Sequence, residues 1–309
     1  MIEGAIACVG ECMIELTELD AKDGRVRLGF AGDTCNTAVY LSRLLGGGGP
    51  SVSYVTAVGR DGLSDRMIAE MEAEGIGTDL VARLEHLLPG IYAIEVDPSG
   101  ERSFRYWRET SAARMMFSEG AIDPEALGGF RLIYLSGITL AILPETDRAR
   151  LLDRLRRNRE AGGQVAFDGN YRPRLWRSAA EARHWMEAAL AVTTIALPSA
   201  DDEAKLFGDA DEAAILDRIS RLGTVEIAMK RGERGPLVLT AGRRVEPPCG
   251  RVETVVDTTA AGDSFNAGYL AARLSGAAPE DAAHAGHALA AQVIGYSGAI
   301  IPRSVPLTR

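Results

Sequence analysis

The sequence predicts an α/β protein with a parallel sheet at its centre, helices on both faces and a small additional β-sheet. After residue 131, short apolar runs alternate with amphipathic segments of helical spacing, as in folds that alternate strand and helix. Apolar strands of this kind are typical of a parallel sheet covered on both faces. Two earlier segments, about 13–30 and 87–110, instead alternate apolar and polar residues, which predicts strands with one exposed face.

The first 130 residues contain both kinds of element. A helix is expected over 34–45, because its leucines fall on one face and the glycine run at 46–49 ends it. The turn sequence at 97–100 divides the second exposed segment into a hairpin. The predicted elements are, in order, a strand at 5–9, the β segment at 13–30, the helix at 34–45, a strand at 52–58, a helix carrying Met67, Ile68 and Met71, and the β segment at 87–110.

The rest of the chain alternates strand and helix up to residue 229. A β-branched run at 252–256 then predicts another strand, and the apolar positions Phe265, Tyr269 and Leu274 predict a helix that begins near Asp263. The economical arrangement places the two exposed β segments together over one edge of the main sheet, within a single domain, 1–309. The alternating elements are strands at 132–135, 165–167, 194–197 and 225–229 and helices at 147–161, 179–191, 203–207 and 212–222.

Composition narrows the class of protein. The chain has 309 residues and a net charge of −9, which argues against broad binding to nucleic acid or to anionic membranes. The amino terminus lacks the basic region of a signal peptide, and no apolar run approaches membrane-spanning length. The four cysteines are few and scattered, as is typical of thiols in a reducing compartment. We therefore expect a cytoplasmic protein with small-molecule partners.

Polar and glycine-rich residues follow most of the predicted strands. In open α/β sheets, ligands bind outside the carboxyl ends of the strands. A structural protein has no need for Asp, Asn, Arg and Lys at so many neighbouring strand ends, so a binding crevice is the better interpretation. These ends are Gly10-Glu11, Gly59-Arg60-Asp61, Ser136-Gly137 and the segments 168–172, 198–203, 230–232 and 257–263.

The segment 257–263, Asp-Thr-Thr-Ala-Ala-Gly-Asp, has the composition of an anion-binding turn. Its small residues leave the backbone open to a ligand, and N–H groups at the start of the following helix favour an anion. A carboxylate at Asp263 is unfavourable there unless it has a task, such as accepting a proton from an attacking hydroxyl. Taken alone, Asp263 is better explained as an acid stabilised by the helix dipole.

Three motifs in order, at 31–38, 58–61 and 257–263, resemble those of PfkB/ribokinase-type sugar kinases. The resemblance extends along essentially the whole chain. It implies a ribokinase-like three-layer α/β/α fold with a mostly parallel central sheet and a small β-sheet lid formed by about 13–30 and 87–110. Within the family, the chain most resembles kinases for 2-keto-3-deoxygluconate. The segments that carry this resemblance are 10–16, 88–92, 100–108, 134–138 and 170–176.

The resemblance implies ATP-dependent phosphorylation of this sugar acid to 2-keto-3-deoxy-6-phosphogluconate. Asp263 would be the general base, and the backbone N–H groups of Ala260, Ala261, Gly262 and Asp263 would form the anion hole for the phosphoryl group. The implied nucleotide contacts are Lys230, Gly232, Gly235, Thr259 and Gly262.

The implied cofactors are ATP and Mg²⁺. Many family members have an Asn-x-x-Glu motif linked to the metal, but the matching segment here, 198–203, has Ser in place of Asn. Whether Asp202 or Glu203 serves Mg²⁺ through water therefore stays open, and both are also explained as acids at a helix start. A monovalent cation such as K⁺ near Asp257 and Thr259 follows from family likeness alone.

Substrate recognition is expected at arginine residues. A sugar acid carries a carboxylate, which Arg binds best through two parallel N–H bonds, whereas a neutral sugar needs no cation. Tyr106 and Arg108 are two residues apart on a predicted strand and so share a face, with Trp107 on the other. Without the family, they would be taken as a surface pair on an amphipathic hairpin. The implied substrate contacts are Gly32, Asp33, Asn36, Tyr92, Tyr106, Arg108, Asn170 and Arg172.

Two other functions are kept as alternatives. A kinase of the same fold for fructose or ribose would not need Arg108 and Arg172. A non-catalytic sugar or nucleotide sensor would gain nothing from Asp263 beside an anion hole. An exposed β lid often pairs with another copy to bury its apolar face, so a homo-oligomer through the lid is expected.

Overall fold

The computed structural model describes residues 5–20, 24–46, 48–49, 51–96, 102–118, 120–250, 252 and 254–308. The strands of this part are β1 (Ile6–Val9), β2 (Met13–Asp20), β3 (Arg25–Ala31), β4 (Val52–Val58), β5 (Ile76–Gly77), β6 (Val81–Arg83), β7 (Ile91–Val96), β8 (Arg102–Trp107), β9 (Leu132–Ser136), β10 (Gln164–Asp168), β11 (Ile195–Ala196), β12 (Glu226–Met229), β13 (Leu237–Thr240) and β14 (Arg243–Val245).

Helices surround the strands. They are α1 (Asp33–Leu45), α2 (Gly62–Ala73), α3 (Gly137–Ile142), α4 (Glu145–Glu160), α5 (Ala179–Val192), α6 (Ala200–Phe207), α7 (Glu212–Arg221), α8 (Ala261–Leu274) and α9 (Pro279–Val293), with 3-10 turns at Ala112–Met115, Pro124–Leu127, Pro173–Leu175 and Gly232–Arg234. Within the described residues, no helix combines the length and the apolar character needed to span a bilayer.

The large sheet is parallel over most of its width. Its strand order is β14-β13-β12-β11-β10-β9-β1-β4-β5, and β6 also pairs with β4. The strand β1 lies near the middle, where Ile6 is opposite both Val52 and Leu132 in parallel register. Only the edge hairpin of β13 and β14 is antiparallel among the described pairings of this sheet. The predicted parallel sheet is therefore confirmed.

Successive residues of the central strands point to opposite faces, and each face has its own core. In β1, Ala7 and Val9 pack with the helices α3 to α7, whereas Ile6 and Cys8 pack with α1, α2, α8 and α9. Two layers of helices thus enclose the sheet, because each strand is apolar on both faces. This is the predicted three-layer α/β/α arrangement.

The two exposed β segments form one small sheet, with the order β3-β2-β7-β8. The strands β2 and β3 are antiparallel, β2 and β7 are parallel, and β7 and β8 are antiparallel with Tyr92 opposite Tyr106. The predicted turn at 97–100 lies outside the described residues. The small sheet is connected to the large one directly through residues 10–12, between β1 and β2.

The strand predicted over 252–256 is wrong for the residues described there. Val255 and Val256 are more than half exposed, and the N–H groups of Val256 and Asp257 donate to the carbonyl of Ile294, at the end of α9. Valines favour a strand where they pack against the surface of a sheet, and no described sheet packs against Val255 or Val256. Helix α3 and the β13–β14 hairpin were not predicted, because both are short and adjoin segments with a clearer pattern of apolar residues.

Candidate active site at the start of helix α8

The turn before α8 brings Asp263 to the carboxyl ends of the parallel strands. Ala260 has a left-handed backbone conformation, with φ 61°, and Asp263 is the third residue of the helix. The N–H of Ala261 donates to the carbonyl of Thr258 at 3.2 Å. The N–H groups of Gly262 and Asp263 belong to the first helical turn, where the helix itself offers no acceptor. Of the four predicted anion-hole donors, Ala261 is thus used within the turn.

Asp257 holds this turn in place. Its Oδ1 accepts a hydrogen bond from the N–H of Thr259 at 2.9 Å, and its Oδ2 accepts one from the N–H of Gly298 at 2.6 Å. The buried carboxylate therefore joins the turn to the segment that follows α9. Thr259 contributes its backbone to the turn, which agrees with its predicted place beside a bound phosphate.

The carboxylate of Asp263 is held by α1. Asn36 Nδ2 donates to Asp263 Oδ2 at 2.8 Å, and Asn36 Oδ1 accepts from the N–H of Gly32 at 3.4 Å, which fixes the orientation of the amide. The hydroxyl of Thr37 donates to the carbonyl of Asp263 at 3.1 Å. Among the described residues, Asp263 Oδ1 has no hydrogen-bond donor, so one carboxylate oxygen is left for a ligand.

Burial is the largest of the effects that together raise the pKa of Asp263 to about 8. The nearby negative charges of Asp33 and Asp168 add to the rise, while the hydrogen bond from Asn36 and the charge of Lys230 oppose it. A carboxyl group whose pKa lies near neutral pH is suited to take up a proton during a reaction.

Lys230 places a positive charge beside the first turn of α8. Its Nζ donates to Asp168 Oδ2 at 2.6 Å and to Asn266 Oδ1 at 3.0 Å. Asn266 Nδ2 donates in turn to Asp168 Oδ2 and to the hydroxyl of Tyr134. A Cβ built on Gly262 would lie 3.7 Å from the ammonium nitrogen. The ammonium group therefore lies beside the first turn of α8.

The glycine loop after β12 is kept in shape by Arg231. Its guanidinium donates to the carbonyl of Gly235 at 2.9 Å and to Glu212 Oε2 at 3.0 Å. Gly232 and Gly235 both have a positive φ, which favours glycine. Nothing described lies within 4 Å of a Cβ built on Gly232, so the backbone of that residue is open to a ligand.

Three further predicted substrate residues surround Asp263. Asn170 Nδ2 donates to Asp33 Oδ2 at 2.8 Å, and the N–H of Asn170 donates to Asp168 Oδ1 at 3.1 Å. Asp33 begins α1, one turn before Asn36 and directly after Gly32. The structure thus brings Gly32, Asp33, Asn36 and Asn170 together with the carboxylate, although they come from distant parts of the chain.

The small sheet contributes Tyr92, Tyr106 and Arg108. Tyr106 is 45% exposed and stacks on Tyr92, which is only 6% exposed, with ring centroids 5.8 Å apart. The hydroxyl of Tyr92 donates to the carboxylate of Glu15. Tyr92 therefore supports Tyr106 in this structure rather than presenting its own hydroxyl to open space. The Arg108 side chain is buried, with its guanidinium carbon 6.0 Å from the centre of the Tyr106 ring.

Arg172 follows β10 of the large sheet. It is half-exposed, and its Nη1 donates to the carbonyl of Tyr171 at 3.0 Å and to Asp202 Oδ2 at 3.4 Å. Burial raises the pKa of Tyr106, and the charges of Arg108, Arg172 and Arg174 oppose that rise. This end of the site therefore carries the positive charge of three arginines, and Arg108 and Arg172 are the two that were predicted to contact the substrate.

The two acids considered for Mg²⁺ differ in their surroundings. Glu203 is buried and paired with Arg218 at 2.8 Å, which leaves Asp202 as the more available of the two. Burial raises the pKa of Asp202, although Arg172 opposes the rise. No group of three or more His, Cys, Asp or Glu side chains in the described ranges is arranged to hold a metal ion. Mg²⁺ bound largely by phosphate and water, with one carboxylate, is compatible with these residues.

Several residues that shape the site had no role predicted from the sequence. Glu11, two residues after β1, and Asp168, the last residue of β10, were named only among the polar strand ends. Thr37 and Asn266 lie inside helices, where nothing in the sequence distinguishes a polar side chain that faces the site from one that faces solvent.

Comparison with known proteins gives consistent results. The model of the pfkB family carbohydrate kinases matches residues 4–306. The 2-dehydro-3-deoxygluconokinase of Dickeya dadantii is 49% identical over 302 residues, and the match covers 96% of each chain.

Solved structures share the fold. The structure of 2-dehydro-3-deoxygluconokinase from Thermotoga maritima is similar with a TM-score of 0.83 and 24% identity, over 96% of this chain and 94% of the other. That of fructokinase with bound ATP from Xylella fastidiosa has a TM-score of 0.83 and 22% identity, with the same coverage. The ribokinase-like fold implied by the sequence motifs is therefore confirmed.

We predict that Asp33→Asn lowers the pKa of Asp263, because the substitution removes a negative charge that raises it. The measurement is a ¹³C titration of the Asp263 carboxyl carbon in the free protein, assigned with Asp263→Asn. Asp153→Asn, on the exposed face of α4, is the control and should leave the titration unchanged. An unchanged or higher pKa in Asp33→Asn would contradict this description of the site.

Proposed function

The chain belongs to the pfkB family of carbohydrate kinases, and we propose that it transfers a phosphoryl group from ATP to 2-dehydro-3-deoxygluconate, also written 2-keto-3-deoxygluconate. The observation that carries this proposal is that the two ends of the site hold side chains of opposite charge. A partly buried carboxylate at a helix start lies at one end, and two arginines lie at the other. The name of the Dickeya dadantii relative, at 49% identity, supports the same substrate.

Asp263 acts as the general base in this proposal. Its raised pKa lets it accept the proton of the primary hydroxyl at physiological pH, and Oδ1 is the oxygen without a donor among the described residues. Asn36 keeps the carboxylate oriented while the substrate binds. The product is then the 6-phosphate of the sugar acid.

The first turn of α8 and Lys230 receive the negative charge of the transferring phosphoryl group. The ammonium of Lys230 lies close to Gly262, so one anion at the helix start can meet both the N–H groups of Gly262 and Asp263 and the ammonium. Asp168 and Asn266 hold Lys230 there. These groups are in place before the reaction, so little reorganisation is needed when charge develops.

ATP is expected to bind along the glycine loop, with Gly232, Gly235 and Thr259 close to its phosphates. Mg²⁺ would neutralise phosphate charge, with Asp202 as the candidate carboxylate acting through water. A monovalent cation such as K⁺ near Asp257 and Thr259 is part of the proposal by family likeness.

The substrate carboxylate is assigned to Arg108 and Arg172. Both are near Tyr106, and a guanidinium binds a carboxylate in a planar, directional way that an ammonium does not. A sugar acid offers both guanidinium groups a further acceptor beyond Glu11 and Asp202, whereas a neutral sugar offers no carboxylate. This end of the site therefore favours a sugar acid over fructose or ribose.

The small sheet is also proposed to serve as the lid and to pair with a second copy of the chain. Trp107 is 58% exposed on β8, and Val26 on β3 is 44% exposed. Covering such side chains stabilises an association through the hydrophobic effect. A homo-oligomer through this sheet is the arrangement that we expect.

Asp263→Asn should lower kcat by roughly 10²–10⁴-fold, since the variant cannot accept the hydroxyl proton. ATP affinity should change little, because the backbone donors and Lys230 remain. Asp281→Asn is a matched control: Asp281 is also the third residue of a helix, α9, but is exposed. Steady-state kinetics and ATP titrations test both variants, and near-normal turnover in Asp263→Asn would refute the base assignment.

Arg108→Ala and Arg172→Ala should each raise KM for the sugar acid by roughly 10–100-fold, the effect of losing a hydrogen bond to a charged group. The KM for ATP should be unaffected. Arg105→Ala removes an exposed arginine from the same strand, β8, and should leave both constants near normal. Should both variants keep the normal KM for the sugar acid, the assignment of its carboxylate fails.

A further inference from the structure

Glu11 and Arg108 form an ion pair that is almost fully buried, with side-chain exposures of 1% and 8%. Glu11 lies in the connection from β1 of the large sheet to β2 of the small one. Arg108 directly follows β8, where the chain leaves the small sheet. The pair therefore links two of the points at which the chain crosses between the sheets.

The backbone packs closely around this pair. A Cβ built on Gly90 would lie 2.8 Å from Glu11 Oε1 and 3.1 Å from Arg108 Cβ. A Cβ on Gly32 would lie 2.1 Å from the carbonyl oxygen of Glu11. Gly32 is also the residue whose N–H holds the amide of Asn36. Glu11 is thus packed closely between the small sheet and Gly32, in the segment that orients the proposed general base.

Arg108 is held from two sides but is not fully satisfied. Its Nη2 donates to Glu11 Oε2, and its guanidinium carbon lies 6.0 Å from the centre of the Tyr106 ring. Within the described chain, Arg108 Nε and Glu11 Oε1 have no partner. The pair is therefore joined by a single hydrogen bond rather than by the two parallel bonds of a fork. A buried guanidinium with unused N–H capacity is stabilised by a further acceptor.

We propose that Glu11 is a positioning residue for substrate recognition, which fixes Arg108 so that the rest of its guanidinium meets the carboxylate of the sugar acid. The inference rests on the proposed function, in which Arg108 binds that carboxylate. Glu11 does not itself touch the substrate.

Two effects of Glu11 on substrate binding oppose each other. Its negative charge weakens the attraction of Arg108 for the substrate carboxylate. Without it, however, Arg108 would be an unpaired charge in a buried place and would turn towards water, away from the site. Because the pair is buried and tightly enclosed, orientation outweighs the loss of attraction.

The test measures KM and kcat for the sugar acid in Glu11→Gln and Glu11→Asp. Glu11→Gln should raise KM for the sugar acid at least tenfold, with kcat and KM for ATP within about twofold of normal. Glu11→Asp keeps the charge on a shorter side chain and should have an intermediate KM. Glu95→Gln, an exposed acid on β7, is the control and should behave as the unmodified protein. A general loss of folded structure would lower kcat and raise both KM values instead.

Combination with Arg108→Ala separates this inference from the proposed function. If Glu11 acts through Arg108, Glu11→Gln adds no further rise in KM to Arg108→Ala. If Arg108→Ala raises KM but Glu11→Gln leaves it unchanged or lowers it, the positioning role is overturned and the proposed function stands. If Arg108→Ala leaves KM unchanged, the positioning role fails, and the assignment of the carboxylate to Arg108 fails with it. Should Glu11→Gln not fold, Glu11→Asp decides: a normal KM for the sugar acid overturns the proposal.

Discussion

The burial of one carboxylate at the start of a helix is the constraint on which the site depends. Asp263 is enclosed between α1 and α8, and its charge is opposed by Asp33 and Asp168 rather than neutralised by a direct ion pair. Such an arrangement costs stability, since a buried charge is unfavourable. In the proposed function, this cost is offset because the raised pKa of Asp263 serves proton transfer from the substrate hydroxyl. The neighbouring N–H groups and Lys230 then serve the phosphoryl group.

The fold divides the work between its two sheets. The carboxyl ends of the strands in the large sheet and the first turn of α8 hold the groups that are proposed to act on a hydroxyl and a phosphate. The small sheet supplies Tyr106 and Arg108, to which the proposed function assigns substrate recognition. The Glu11–Arg108 pair connects the two parts, because it lies where the chain passes from one sheet to the other. Substrate choice and catalysis are thereby linked through a few buried contacts rather than through a large interface.

Much of this arrangement could be predicted from the sequence. The alternation of apolar strands and amphipathic helices identified the parallel sheet, and the period-two segments identified the small one. The motif at 257–263 drew attention to the turn before α8 and to Asp263. The strand predicted at 252–256 was wrong, because valines form a strand only where a sheet covers them. Asn266 and Thr37 were missed since a polar residue inside a helix carries no signal of the face that it occupies. The partners of Arg108 and Glu203 depend on tertiary contacts between segments far apart in the chain.

The central claim is that a base at one end of the site and two arginines at the other make this chain a kinase for a sugar acid. The most direct test is an assay of ADP release with 2-keto-3-deoxygluconate, its galacto epimer, fructose and ribose at equal concentrations of ATP and Mg²⁺. The account predicts a kcat/KM for 2-keto-3-deoxygluconate that exceeds those for fructose and ribose by at least about 100-fold, because neutral sugars offer no carboxylate to the unused N–H capacity of Arg108. An equal or higher kcat/KM for either neutral sugar would contradict it.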